Sequence, residues 1–223
     1  MLTDLEKDLI SKASHYSKEK VKGFESGHDW WHIWRVQQTA IHLAISENAD
    51  IFICAMAALL HEVKDHKFSS PACLVTQFES KEFLEGLGIT PSVTNSILYI
   101  TENLSYSAGI DQNFSKTIEF EVVQDADRLD AIGAIGIARA FNYGGYKNRP
   151  IYLPGSVPEV YRTTYEYRTN ESCSIMHFYE KLLKLKEAMN TPAAKILAEE
   201  RHAFLLVYLE RFLEEWNEFE ELI

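Results

Sequence analysis

The chain has 223 residues, of which 46% are hydrophobic and 25% are charged, and its formal net charge at pH 7 is −11. These fractions are typical of a globular protein and exclude a disordered or collagen-like chain. Because a strongly acidic surface repels phosphate backbones, DNA, RNA and anionic membranes are disfavoured as partners. A small phosphorylated ligand stays compatible with this charge if local cations or a metal ion bind it.

The segment that begins the chain carries no apolar stretch of signal-peptide length. The longest apolar run, Ile51 to Leu60, is about half the length of a membrane span. Three dispersed cysteines, Cys54, Cys73 and Cys173, favour reduced thiols over disulfides. We therefore expect a cytoplasmic protein that does not cross a membrane.

Helical spacing of apolar residues dominates the sequence, and strand-like alternation is not convincing anywhere. Asp50 is a good N-cap for the helix that begins at Ile51, and Pro71 and Pro91 suit the first turns of two further helices. In chain order, helical patterns run over about 4–22, 28–46, 51–63, 115–141, 174–189 and 192–216. The sequence predicts an all-α protein.

A Gly-, Pro- and Tyr-rich stretch over about 142–173 precedes the last two helical patterns. It is too long for a simple connector, so we expect a functional loop or lid. No linker of low complexity and no repeat divides the chain. We expect a single domain over 1–223, with the C-terminal helices over about 174–218.

Residue types that bind metals are concentrated in four places. They are the i, i+4 pair His28 and His32, the doublet His61-Glu62, the carboxylates Asp125, Asp127 and Asp130, and the lone His177. The three aspartates interrupt an otherwise apolar segment, and buried carboxylates are costly unless a cation neutralises them. Imidazole and carboxylate together suit Mn, Fe, Co, Ni or Zn, whereas oxygen ligands alone suit Mg or Ca.

Each of these patterns also has a structural interpretation. The histidine pair is compatible with a surface position or with helix capping, and His61-Glu62 with a polar helix end. The three aspartates are compatible with capping of the next helix and with ion pairs to Arg128 and Arg139. Taken singly, none of the patterns selects a metal site.

Taken in order, His32, His61-Glu62 and Asp127 resemble the HD-domain metal-dependent phosphohydrolase superfamily. That family is recognised by a histidine, a His-Asp doublet at the end of an apolar helix and a distant aspartate. The resemblance includes HDWWHIWRV, AALLHEVKDHKF, QDADRLDAIGAIGIARAF and YGGYKNRPIY, and it extends from about Gly27 to Trp216. The chain is similar to small bacterial HD hydrolases, which implies a helical bundle with its metal-binding core over about 27–131.

The resemblance implies that one divalent metal ion, with Mn or Mg favoured over Co, Ni, Fe or Zn, is bound by His32, His61, Glu62 and Asp127. Glu62 departs from the family pattern, which has aspartate there. Its carboxylate reaches one methylene further, and metal sites are sensitive to small displacements. A working site is favoured over a degenerate one because the other positions are retained.

The resemblance also implies roles for residues around the metal. Asp65 is expected to position or deprotonate the attacking water, and Arg35 and Lys64 are expected to assist catalysis. The residues expected to bind substrate are His28, Lys67, Lys147, Arg149 and His177. The carboxylates expected to orient metal ligands or substrate are Asp29, Asp125 and Asp130.

The expected function is hydrolysis of a small phosphorylated metabolite, preferably a nucleotide, with release of phosphate or pyrophosphate. Two alternatives stay open. One is a regulatory protein that binds nucleotide and metal without turnover, and the other is a di-iron oxygenase that recruits His28, Asp65 or His66. No polymer or membrane partner is expected, and a homo-oligomer is possible.

Overall fold

The computed structural model describes residues 1–23, 29–63, 77–104, 115–159 and 172–217. Within these ranges the chain forms α-helices, with one short 3-10 helix (Leu182–Lys184) and no strand, which confirms the prediction of an all-α fold. The helices are α1 (Asp4–Lys20), α2 (Trp30–Glu47), α3 (Ile51–Leu60), α4 (Gln77–Gly86), α5 (Pro91–Asn103), α6 (Ile118–Asp130), α7 (Gly133–Tyr146), α8 (Ser174–Glu180) and α9 (Pro192–Asn217). None of the helices in the described ranges has the length and apolarity that a bilayer span requires.

The short helix α3 lies at the centre of the bundle. Eight of its ten residues are buried, and it packs against α1, α2, α5 and α6. A helix that is apolar on all sides is stable only inside a core. As predicted, Asp50 caps it by accepting a hydrogen bond of 3.0 Å from the Ile53 amide. His61 and Glu62 therefore follow directly after this buried helix, at the edge of the core.

Helices α2 and α6 pack against α3 and against each other. Both bury polar side chains along with their apolar faces: His32 and Gln37 on α2, and Gln124, Asp125 and Asp130 on α6. Buried polar groups need partners, so these side chains determine how the helices contact one another.

The helical pattern over 115–141 divides into α6 and α7, with a corner after Asp130. Gly133, at the start of α7, has φ +75°, a conformation that residues with a Cβ rarely adopt. A Cβ on Gly136 would overlap the carbonyl oxygen of Ala131. These two glycines allow the chain to turn sharply at the carboxyl end of α6.

The helical pattern over 174–189 also differs from the observed structure. Helix α8 ends at Glu180, Lys181 has φ −135°, and the 3-10 helix follows. Leu182 and Leu185 are both buried, and a spacing of three residues is that of 3-10 turns. In the predicted loop over 142–173, α7 continues to Tyr146, residues 147–159 are irregular, and 160–171 lie outside the described residues.

Asp125 connects α6 to the start of α9. Its side chain is fully buried and accepts hydrogen bonds from the amides of Asn190 (2.9 and 3.0 Å) and Thr191 (2.7 Å) and from the Thr191 hydroxyl (2.9 Å). A carboxylate that accepts several backbone N–H groups just before a helix acts as its N-terminal cap. Asp125 therefore holds the start of α9 against α6.

We expect Asp125→Ala to lower the free energy of unfolding by about 2–4 kcal/mol, because the buried amides of Asn190 and Thr191 lose their acceptor. Chemical denaturation measures the change. Asp8→Ala is the control, since Asp8 is half-exposed and pairs with Lys12 at the surface, where an ion pair contributes less than about 1 kcal/mol. Equal losses in the two variants would contradict this role of Asp125.

His177, on α8, is held uncharged by its surroundings. Burial lowers the pKa of His177 to about 3, and the positive charges of Lys181 and Arg149 act in the same direction. In the unfolded chain an imidazole binds its proton near pH 6.5. The unfolded state therefore binds more protons than the folded state between about pH 6.5 and pH 3, and stability falls as the pH falls through this window.

Between pH 7.5 and pH 5.0 we expect wild type to lose about 2 kcal/mol more unfolding free energy than His177→Asn, at about 1.4 kcal/mol per pH unit below 6.5. Denaturation curves at the two pH values measure this difference. His15→Asn, which replaces an exposed histidine of α1, should behave as wild type. Equal losses of unfolding free energy in wild type and His177→Asn would show that the pKa of His177 is not lowered in the folded protein.

Candidate metal centre

His32 lies in the first turn of α2, and its side chain is fully buried. Asp29 caps this helix by accepting a hydrogen bond of 2.9 Å from the His32 amide. The cap fixes where α2 begins and thus where the imidazole enters the bundle. Nδ1 of the ring lies 2.7 Å from Oδ2 of Asp130 on α6.

His61 follows α3 directly and is also buried. Its Nδ1 lies 2.7 Å from the carbonyl oxygen of Ala58, in the last turn of the same helix. A carbonyl oxygen only accepts hydrogen bonds, so Nδ1 carries the proton and Nε2 presents its lone pair. That Nε2 atom lies 3.3 Å from Nε2 of His32.

Two carboxylates complete the cluster. Oε1 of Glu62 lies 3.5 Å from the Nε2 atoms of both His32 and His61. Oδ1 of Asp127, from α6, lies 3.5 Å from Nε2 of His32 and 3.9 Å from Nε2 of His61. The Glu62 side chain is 8% exposed and that of Asp127 is 36% exposed, so the cluster meets solvent on the Asp127 side.

The donor set fits a divalent cation. Ligand atoms of His32, His61 and Asp127 all lie within 4.8 Å of one another, and Glu62 is within 3.5 Å of both imidazoles. Neighbouring ligands about 2.1 Å from one ion lie about 3.0–3.5 Å apart, which is the spacing of the two Nε2 atoms. Two neutral imidazoles and two carboxylates together balance the charge of a divalent ion.

The pKa values of the cluster follow from burial and mutual charge. Burial lowers the pKa of His61. Burial alone would raise the pKa of Asp127, but the His61 and His32 imidazoles lower it more. For His32, burial and the Arg139 charge act to lower the pKa, yet the hydrogen bond to Asp130 and the nearby carboxylates of Glu62 and Asp127 raise it overall. Asp127 thus keeps its negative charge next to the histidines.

Asp130 is the carboxylate behind His32. Arg35 binds it with both Nε (2.7 Å) and a terminal nitrogen (3.0 Å), and Arg139 of α7 lies 3.1 Å from the same carboxylate. Burial would raise the pKa of Asp130, but the hydrogen bonds from His32 and Arg35 hold it well below its usual range. Asp130 is therefore ionised and acts as an acceptor.

The three aspartates of α6 thus contact three different places. Asp127 faces the two histidines, Asp130 contacts the far side of His32, and Asp125 caps α9. The structural interpretation of the sequence also holds in part, because Asp125 lies 3.8 Å from Arg128 and Asp130 pairs with Arg139. The Ala58 carbonyl as the partner of His61 was not predicted from the sequence. A histidine directly after a helix lies close to the carbonyl groups of the last turn, and this position was the available signal.

The remaining predicted residues either contact one another in a second group or lie outside the described ranges. The side chains of Lys147 and Arg149 pack over the ring of Tyr143, with Lys147 Nζ 5.8 Å and the Arg149 guanidinium carbon 5.9 Å from its centre. Arg149 is close enough to His177 to influence its charge. These residues form a second group at the end of α7 (Tyr143), just after it (Lys147 and Arg149) and on α8 (His177). His28, Lys64, Asp65 and Lys67 lie outside the described residues, as does His66.

Comparison with known proteins gives relatives over nearly the whole chain, although no protein-family model matches it. YpgQ of Bacillus subtilis (strain 168), an uncharacterized protein, is 38% identical over 185 residues, 82% of this chain and 82% of YpgQ. Its crystal structure in complex with ADP has a TM-score of 0.77 and 35% identity, and the similarity covers 95% of this chain and 96% of that one.

Two further crystal structures are similar. A Lactobacillus plantarum protein has a TM-score of 0.85 and 36% identity, with 97% of this chain and 99% of that one covered. An HD-superfamily hydrolase from Bacillus thuringiensis has a TM-score of 0.73 and 42% identity, with 95% and 98% covered. The chain therefore belongs to the HD superfamily and is a metal-dependent hydrolase of the HD type.

Proposed function

We propose that the protein is a phosphohydrolase that cleaves a nucleotide with release of phosphate or pyrophosphate. The observation that carries this proposal is the convergence of His32, His61, Glu62 and Asp127, with the two Nε2 atoms 3.3 Å apart and Glu62 Oε1 3.5 Å from each. A divalent ion bound there supplies Lewis-acid polarisation of a phosphoryl group and a lower pKa for the attacking water.

The charges of these side chains support a phosphate substrate. The carboxylates of Glu62 and Asp127 offset a divalent ion while the imidazoles stay neutral, so the filled site does not repel a polyanion as bare carboxylates would. Asp127 is the most exposed of the four side chains, which supports an approach of the substrate from its side. The mixture of nitrogen and oxygen ligands favours Mn over Mg.

Two further observations support a small nucleotide as the substrate. YpgQ, which is 35% identical in the comparison of structures, was crystallised in complex with ADP. The net charge of −11 disfavours nucleic acids and anionic membranes as partners but does not disfavour a nucleotide bound at one metal ion. We also propose a cytoplasmic location, in keeping with Cys54 and Cys173, which are buried and free.

Asp65, four residues after His61, is the residue that we propose accepts the proton of the attacking water. An attacking water needs a nearby base at neutral pH. Of the cations expected near the phosphates, Lys147 and Arg149 belong to the group around Tyr143 and His177. We propose that they contact the phosphate chain, with Lys64, Lys67 and His28 as further contacts.

His61→Ala and Asp127→Ala should each reduce nucleotide hydrolysis by more than about 100-fold, because loss even of a group behind a metal ligand costs about 10- to 100-fold. The assay uses Mn²⁺- or Mg²⁺-loaded protein, a panel of nucleotides, and separate detection of phosphate and pyrophosphate. His42→Ala, which removes an exposed histidine of α2, should retain wild-type activity. Equal activity in wild type, His61→Ala and Asp127→Ala would refute the proposed site.

Glu62→Asp separates a working site from a non-catalytic one. In a working site built around glutamate, the shorter side chain withdraws the carboxylate from both Nε2 atoms, and hydrolysis should fall about 10- to 100-fold. Glu62→Gln keeps the length of the side chain and loses its charge, and its rate of hydrolysis should fall at least as far as that of Glu62→Asp. A gain of activity in Glu62→Asp over an inactive wild type would instead support a regulatory protein that binds nucleotide without turnover.

A further inference from the structure

We propose that Arg35 and Arg139 are positioning residues that hold Asp130 against His32, so that Nε2 of His32 is fixed in the orientation that binds the metal ion. This inference rests on the proposed metal centre and adds residues behind it. Arg35 was expected from the sequence to assist catalysis directly. Its observed contacts give it a different task, one that is complete before any substrate binds.

The contacts of the Asp130 carboxylate leave it little freedom. Oδ1 accepts a hydrogen bond from Nε of Arg35 (2.7 Å), and Oδ2 lies 2.7 Å from Nδ1 of His32 and 3.0 Å and 3.1 Å from terminal nitrogens of Arg35 and Arg139. The Asp130 side chain is only 6% exposed. One of these contacts is to Oδ1 and three converge on Oδ2, so rotation of the carboxylate would break several of them at once.

The same contacts determine the protonation of His32. Arginine only donates hydrogen bonds, so both Asp130 oxygens act as acceptors toward Arg35 and Arg139, and Nδ1 of His32 donates its N–H to Oδ2. The lone pair of the neutral ring then lies at Nε2, which faces Glu62 and Asp127 at 3.5 Å. Partners of this kind set the tautomer and the ring orientation of histidines in metal sites.

The two arginines offset the cost of burying the Asp130 carboxylate. One imidazole does not compensate the loss of water around a charged oxygen pair. Arg35 supplies a bidentate fork from α2, one turn beyond His32, and Arg139 approaches from α7. Arg139 also lies 3.3 Å from the Asp130 carbonyl oxygen, to which it donates, so it fixes the corner between α6 and α7 as well as the side chain.

His61 provides an internal comparison. Its Nδ1 donates to the Ala58 carbonyl of its own helix turn, so the hydrogen bond behind this ring is local to α3. The orientation of His32 depends on residues from α2, α6 and α7. Substitutions in the arginine pair should therefore weaken metal binding through His32 and leave the local contact of His61 intact.

The test is to titrate the metal-free full-length protein with Mn²⁺ in the absence of substrate. Electron paramagnetic resonance measures the free and bound Mn²⁺ at each step. Asp130→Asn should raise the Kd for Mn²⁺ by about 10- to 100-fold. Arg35→Lys keeps the charge but loses the fork, and Arg139→Lys keeps the charge but loses the guanidinium that contacts the Asp130 side chain and carbonyl oxygen. Each should raise the Kd for Mn²⁺, by a smaller factor than Asp130→Asn. Arg201→Lys is the matched control, because Arg201 donates to the Leu129 carbonyl at the same corner; its Kd should stay within about twofold of wild type.

A second measurement needs no variant. In ¹⁵N-histidine-labelled wild type, at a pH where the ring is neutral, multiple-bond ¹H–¹⁵N spectra should show His32 protonated at Nδ1. The positioning role would be overturned if His32 were protonated at Nε2, or if Asp130→Asn and Arg35→Lys bound Mn²⁺ as tightly as wild type. The metal centre would still stand in that case if His61→Ala abolishes Mn²⁺ binding. Failure of wild type to bind Mn²⁺ would overturn the metal centre and the positioning role together.

Discussion

The nitrogen atoms Nε2 of His32 and His61 face each other at 3.3 Å inside the bundle. When both rings are protonated at Nδ1, two lone pairs point at the same space, and this is favourable only if a cation lies there. Glu62 and Asp127 add two negative charges around that space. Three helices, α2, α3 and α6, are arranged so that these groups meet, and the arrangement is costly unless a positive ion compensates it.

One local and one long-range hydrogen bond orient the two imidazoles. The apolar helix α3 places His61 at the edge of the core, where the Ala58 carbonyl of its last turn fixes the ring. His32 enters from α2 beside the Asp29 cap, and its ring is fixed from behind by Asp130 of α6. The packing of α2 against α3 and α6 thus has a direct chemical consequence, since it sets the spacing between the two imidazoles.

The parts of the structure that depend on local sequence were predictable. Helix α3, its cap Asp50 and the proline at the start of α5 follow from neighbouring residues. The corner at Asp130 was not predicted, because the apolar pattern continues across it and nothing in that pattern reveals the positive φ of Gly133. The contacts of Asp125 with Asn190 and Thr191 join residues 65 and 66 positions apart, beyond the reach of periodicity.

The same distinction applies to the candidate site. The order of His32, His61, Glu62 and Asp127 pointed to a shared centre through its family resemblance, and the structure brings these four side chains together. The partner of Arg35 was not predictable, because Arg35 and Asp130 are 95 residues apart. A cation near a metal ligand in sequence suggests a phosphate contact, whereas the folded chain pairs it with a buried carboxylate.

The most direct test of the central claim is to titrate metal-free protein with Mn²⁺ while nucleotide hydrolysis is measured. The account predicts no hydrolysis without metal and a linear rise in the release of phosphate or pyrophosphate that stops at one ion per chain. Hydrolysis that is independent of added metal, or its absence with Mn²⁺, Mg²⁺, Co²⁺ and Ni²⁺ alike, would contradict it. A protein that instead contains two iron ions per chain would favour an oxygenase.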